Sequence, residues 1–163
     1  MKHITSFFLI LLGVFSYSQT NEIKIDNFSA YDIPFTIYSN STASAQDCVP
    51  IIYNESPVVL PAGASVAYGQ HNSSNDPGTY LPISVWHYVG GNFDKLYNLA
   101  NSQYISSADA SIVTWSKIKI LAPNGQEYAL AIGCLSSGIY TFTAGGITAE
   151  ISSVGNTTWI QIF

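Results

Sequence analysis

Apolar and polar side chains alternate one by one through most of this 163-residue chain, and that alternation is the strongest constraint on what it can fold into. A period of two sends successive side chains to opposite faces of an extended strand, whereas a helix needs apolar positions three or four apart. The alternating runs are 23–28, 33–39, 48–53, 57–60, 64–69, 79–89, 111–121, 126–134, 138–144, 147–154 and 157–163, divided by clusters of Gly, Pro, Asn, Asp and Ser. About ten short strands with frequent turns predict an all-β chain: an antiparallel β-sandwich, with a closed β-barrel as the alternative. Val, Ile and Thr fill 35 of the positions after residue 18, and their branched side chains suit a pleated surface better than a helix.

Within the runs, parity assigns faces. In 111–121, Ile112, Ile118 and Ile120 share one side, and Trp115, Lys117 and Lys119 the other, so Trp115 is expected to be exposed beside the lysines. In 79–89, His87 shares a face with Leu81, Ile83, Val85 and Val89 and reads as a satisfied core or rim histidine, while Tyr80, Trp86 and Tyr88 project opposite, toward solvent. In 126–134, Tyr128, Leu130, Ile132 and Cys134 form the larger, core-facing side. In 33–39, Ile33, Phe35 and Ile37 oppose Pro34, Thr36 and Tyr38, and the proline suggests an edge strand or a bulge. The turn Ala122–Gly125 predicts a hairpin between 111–121 and 126–134. His71 opens a polar loop, 71–78. The segment 90–110 stays open: Phe93, Leu96, Tyr97 and Ala100 fit a short helix near 92–100 with Asn92 as its cap, whereas Phe93, Tyr97 and Leu99 fit a strand.

The first 18 residues have a different character. Lys2 precedes an apolar run from Phe7 to Phe15, and Ser16 and Ser18 follow in the small-residue pattern of a cleavable secretory signal. The run is too short for a membrane span, which needs about 20 apolar residues. Cleavage near Ser18–Gln19 would leave a secreted, extracellular or periplasmic chain, 19–163, with no transmembrane anchor and a single β-sandwich domain. Cys48 and Cys134, an even pair in an exported chain, predict one disulfide. It would close a loop of 87 residues, worth roughly 4.5 kcal/mol on the chain-entropy model.

Beyond residue 18 the chain holds four lysines, no arginine and ten carboxylates. That balance gives no basic patch for phosphates and argues against nucleic acid as a partner. Nucleophile-elbow, zinc-protease and glycine-rich phosphate-loop motifs are absent from the sequence, and the expectation is a non-catalytic protein. A glycoside hydrolase needs only two carboxylates close in space, so spacing alone does not remove it. Asp26, Asp32, Asp47 and Asp76 lie near turns and could offer oxygens to a structural calcium ion, but without a ligand-loop motif; no cofactor and no other metal are expected.

Beyond residue 18, aromatic rings set among 39 Ser, Thr and Asn residues carry the functional expectation. Flat rings stack on the apolar side of a sugar, and amides and hydroxyls pair with its hydroxyl groups. The sequence thus predicts an extracellular binding module or adhesin-like domain for a neutral ligand such as carbohydrate. Its partner would be an extracellular glycan or cell-surface component, with Tyr80, Trp86, Tyr88 and Trp115 as the platform and Trp159 as a weaker member. The alternatives are a membrane-active, lipid-binding or cytolysin-like β-protein and a structural component of a surface assembly.

Overall fold

The computed structural model describes residues 22–41, 48–133 and 138–163. The expected signal segment, Asp47 and Cys134 lie outside the described residues, so the pairing of Cys48 with Cys134 stays an expectation.

Among the described residues twelve strands form: β1 (Glu22–Asn27), β2 (Ile33–Ser41), β3 (Ile51–Asn54), β4 (Val58–Leu60), β5 (Ser65–Tyr68), β6 (Val85–Gly90), β7 (Phe93–Asn98), β8 (Val113–Leu121), β9 (Glu127–Ala131), β10 (Thr141–Ala144), β11 (Ile147–Val154) and β12 (Thr157–Ile162). They make two sheets and no closed barrel among the described residues, as the sandwich reading requires. One sheet has the order β10-β11-β12-β1-β5. The larger, seven-stranded sheet runs β7-β6-β3-β2-β8-β9, with β4 also paired to β2. Ile23, Ile25, Ile160 and Ile162 of the first sheet join Ile33, Phe35, Ile37, Ile118 and Ile120 of the second in one buried cluster. All these isoleucines are effectively solvent-free, and burying each contributes about 1.5–3 kcal/mol before conformational entropy is charged.

Several expectations change. The pairing is not wholly antiparallel, because β1 and β12 run parallel from Glu22↔Thr157 to Asn27↔Ile162. Pro34 lies in an interior strand: β2 has β4 and β3 on one side and β8 on the other, and its pairing with β8 begins only at Phe35, one residue past the proline. The strand expected over 79–89 is formed only from Val85. The helix considered near 92–100 is instead strand β7, joined to β6 by the two-residue turn Gly91–Asn92, where Gly91 takes the positive φ of 57° such hairpins demand. Asn92 therefore sits in a turn and caps nothing. The α-helix is a single turn later, α1 (Ser107–Ser111), where Ser106 accepts the Asp109 amide. The Ala122–Gly125 hairpin forms as expected, with the Gly125 amide bonded to Ala122 O at 2.8 Å.

A β-bulge explains the largest misassignment. Opposite β2, Tyr38 pairs with Lys117 but Ser39 pairs with Trp115, leaving Ser116 as an extra residue. The extra residue shifts the alternation by one, so even positions (Ile118, Ile120) face the core after it and odd positions (Val113, Trp115) face the core before it. Trp115 is buried, 3% exposed, while Lys117 and Lys119 do point outward. Ser116 is held in place by its hydroxyl donating to Asn40 Oδ1 at 2.6 Å and by its carbonyl accepting the Ile132 amide at 2.8 Å.

Candidate functional site

The expected platform does not assemble on the surface. Trp86 is fully buried, Trp115 nearly so, Tyr88 is half-buried against the core, and of the four only Tyr80, 52% exposed in the loop before β6, is largely open to solvent. On β6 the faces are reversed from the sequence reading: Trp86 and Tyr88 point inward, whereas Val85, His87 and Val89 point outward. The parity was read correctly but aliphatics were taken as core and rings as surface, and the broad space between the sheets at this end is filled by indoles instead. Trp159 is half-buried on the outer face of the five-stranded sheet, its Nε1–H donating to Asp26 and its ring beneath the Lys24 ammonium at 4.9 Å. Burial raises the Asp26 pKa, but donation by Ser65, Trp159 and Lys24 outweighs it and holds this carboxyl below its ordinary value. Asp32 accepts the Ala62 amide. Among the described residues no three His, Cys, Asp or Glu side chains converge as metal ligands.

The two buried tryptophans enclose a histidine. His71, expected in a polar loop, begins a 3-10 turn that folds inward, leaving it 6% exposed. Its ring lies 4.8 Å from that of Trp86 and 4.4 Å from that of Trp115. Its Nε2 shares a 2.8 Å hydrogen bond with Ser39 Oγ, and its carbonyl accepts from Trp86 Nε1 at 2.9 Å. The loop is pinned because Asn72 exchanges two hydrogen bonds with the backbone of Ile105. Burial alone pushes the His71 pKa down to about 3. This Ser-His contact has the atoms of a nucleophile and base, yet it is sealed from any substrate and its imidazole is too weak a base for work near neutrality. Its chemistry is structural.

The outer face of the seven-stranded sheet is different. The strand order places Lys117 (β8), Tyr38 (β2), Tyr53 (β3) and His87 (β6) in directly paired positions, a row crossing four strands. Tyr38 and Tyr53 rings are 5.1 Å apart and 26° from parallel, and Tyr53 and His87 rings are 4.9 Å apart. These separations match the spacing of adjacent strands, so the rings stand up from the sheet and stack on one another. The Lys117 ammonium caps the row 4.8 Å from the Tyr38 ring centre. Beside it, Lys119 pairs with Glu127 at 3.1 Å.

At the other end both ring nitrogens of His87 are engaged. Nε2 bonds to Asp94, and Nδ1 lies 2.7 Å from the Tyr53 hydroxyl and 2.9 Å from Glu55 Oε2. The Asp94 hydrogen bond, against some desolvation and with help from Glu55, raises the His87 pKa. The Tyr53 pKa is raised too, by burial and then by the two carboxylates. Two arrangements follow from donor accounting. Neutral His87 donates Nε2–H to Asp94 and accepts a hydrogen bond from the Tyr53 hydroxyl at Nδ1; the imidazolium donates Nε2–H to Asp94 and Nδ1–H to Glu55, and the Tyr53 hydroxyl is released to point elsewhere. The row therefore offers donors and acceptors whose direction depends on one proton.

Sequence parity had set Tyr38 opposite Ile33, Phe35 and Ile37 and put the lysines on an outward face, gave no role to Tyr53, Glu55 or Asp94, and read His87 as a satisfied core or rim residue. Comparison with protein-family models, curated proteins and solved structures finds no match.

Proposed function

We propose that this protein is exported after cleavage near Ser18–Gln19 and acts as an extracellular, non-catalytic binding module for a hydroxyl-rich ligand of the carbohydrate class. The ligand would lie on the outer face of the seven-stranded sheet. The observation that carries this reading is the ordered row Tyr38–Tyr53–His87, whose side chains are fixed by cross-strand stacking before any ligand arrives. Preordering lowers the entropy lost on binding. Because the ring faces stack on each other, the ligand is gripped mainly by hydroxyl, imidazole and carboxylate groups, and less by lying flat on a ring as the composition had suggested. Buried Trp86 and Trp115 shape the core and have no part in contact.

A glycan array probed with the mature protein tests the proposal. Binding to a defined set of oligosaccharides is expected for the wild type and is expected to fall at least tenfold for Tyr53→Ala and Tyr38→Ala, with both variants still showing the wild-type far-UV spectrum. Undiminished binding by both variants, or none by the wild type, would overturn it.

A further inference from the structure

Lys117 and Lys119 are half of the four lysines beyond residue 18, in a stretch with ten carboxylates. They project from the same face of β8 two residues apart, about 6.8 Å along the strand. Like charges this close repel, and a chain so rich in acids has ample means to neutralise both. Yet among the described carboxylates only Glu127 reaches the pair, and it takes Lys119; none lies within ion-pair distance of Lys117, whose ammonium rests on the Tyr38 ring instead. The remaining carboxylates of this face, Glu55 and Asp94, stand at the opposite end around His87. The row is thus polarised, with an excess cation at β8 and two anions, Glu55 just past β3 and Asp94 on β7, gathered around His87 of β6, three strand spacings or about 14 Å away.

Resting on the carbohydrate reading above, we infer that the occupant is an acidic oligosaccharide whose carboxylate or sulfate sits at Lys117 and whose ring hydroxyls extend over Tyr38 and Tyr53 toward His87. The uncompensated ammonium supplies a charge-assisted hydrogen bond in a partly desolvated place, where it is stronger than in open water. The Glu55 and Asp94 end repels an anion and accepts hydroxyl protons, so the ligand lies in one direction. Burial, then the charge of Lys119, lowers the Lys117 pKa against a smaller opposing pull from Glu127.

Titration calorimetry at pH 7 and low salt, with a uronic acid oligomer, a sulfated galactan oligomer and a neutral galactan oligomer of equal length, tests the assignment. At least one acidic oligomer is expected to bind tenfold or more tightly than the neutral one, and the preferred oligomer identifies the anion. Lys117→Gln should bring that ratio close to one, and Lys117→Arg should keep most of it. If the neutral oligomer binds as well as both acidic ones, or the preference survives in Lys117→Gln, the anion assignment fails while loss of binding in Tyr53→Ala still supports the underlying site. If the wild type binds none of the three, the assignment and the site reading both fall.

Discussion

Two histidines, each set among aromatic rings, lie on opposite faces of the same sheet and have opposite electrostatic fates. His71 is wedged between Trp86 and Trp115 with a neutral serine as its side-chain partner, and burial makes its cation unfavourable. His87 stacks beside Tyr53 and holds a carboxylate at each nitrogen, and those partners favour its cation. Ring packing is common to both sites. What differs is access to water and counter-charge, and this decides which histidine only fills space and which is favoured in its protonated form.

The comparison can be broken first through packing. Trp86→Ala in the sealed cluster should cost about 3–5 kcal/mol, because it opens a cavity and removes the indole's hydrogen bond to the His71 carbonyl. Tyr53→Ala in the outer row should cost about 1 kcal/mol, the scale of a cross-strand pair. Urea denaturation of both variants reads the difference, and equal losses would mean that the outer row is as much core as the inner cluster.

Acid provides the next test. His71 binds a proton readily only when unfolded, so its contribution to stability is complete above about pH 6.5 and is lost as pH falls toward its folded value of about 3. Within that window the slope should approach about 1.4 kcal/mol per pH unit. Denaturation curves at several pH values should show this slope in the wild type and a flatter one in His71→Leu; parallel profiles would remove the assignment. The sign reverses at His87. Its raised pKa makes it stabilising at low pH, fully so below about 6.5, and that part is lost as pH rises through the folded value. Because Asp94 is largely exposed, the stability effect should be much the smaller. Imidazole NMR titration should place His87 above the ordinary histidine value, moving down in Asp94→Asn; a midpoint unmoved by that substitution would discard Asp94 as the main cause.

How much of this was readable in the residues differs by element. The alternation in β2, β11 and β12 located those strands closely, and Asn124–Gly125 gave the β8–β9 hairpin. Strand β7 was missed as a definite strand because Phe93, Leu96 and Tyr97 also fit a helix, although Gly91–Asn92 ahead of them was a usable hairpin signal. The bulge at Ser116 left no mark in the sequence: a serine between Trp115 and Lys117 looks like ordinary alternation, and its role depends on Asn40, 76 residues away. The outer row was hidden for a related reason. Tyr38, Tyr53 and His87 are neighbours only because β3 pairs with both β2 and β6, and strand order is a property of the whole sheet.

The parallel pairing of β1 with β12 also bears on how the chain becomes ordered in time. Glu22 and Thr157 are 135 positions apart, so the five-stranded sheet cannot close until residues near 162 have been made. The β6–β7 and β8–β9 hairpins can meet early from local contacts. Long-range closure of this kind slows folding and leaves β1 without its β12 neighbour in the meantime, its hydrogen-bonding edge open to other strands.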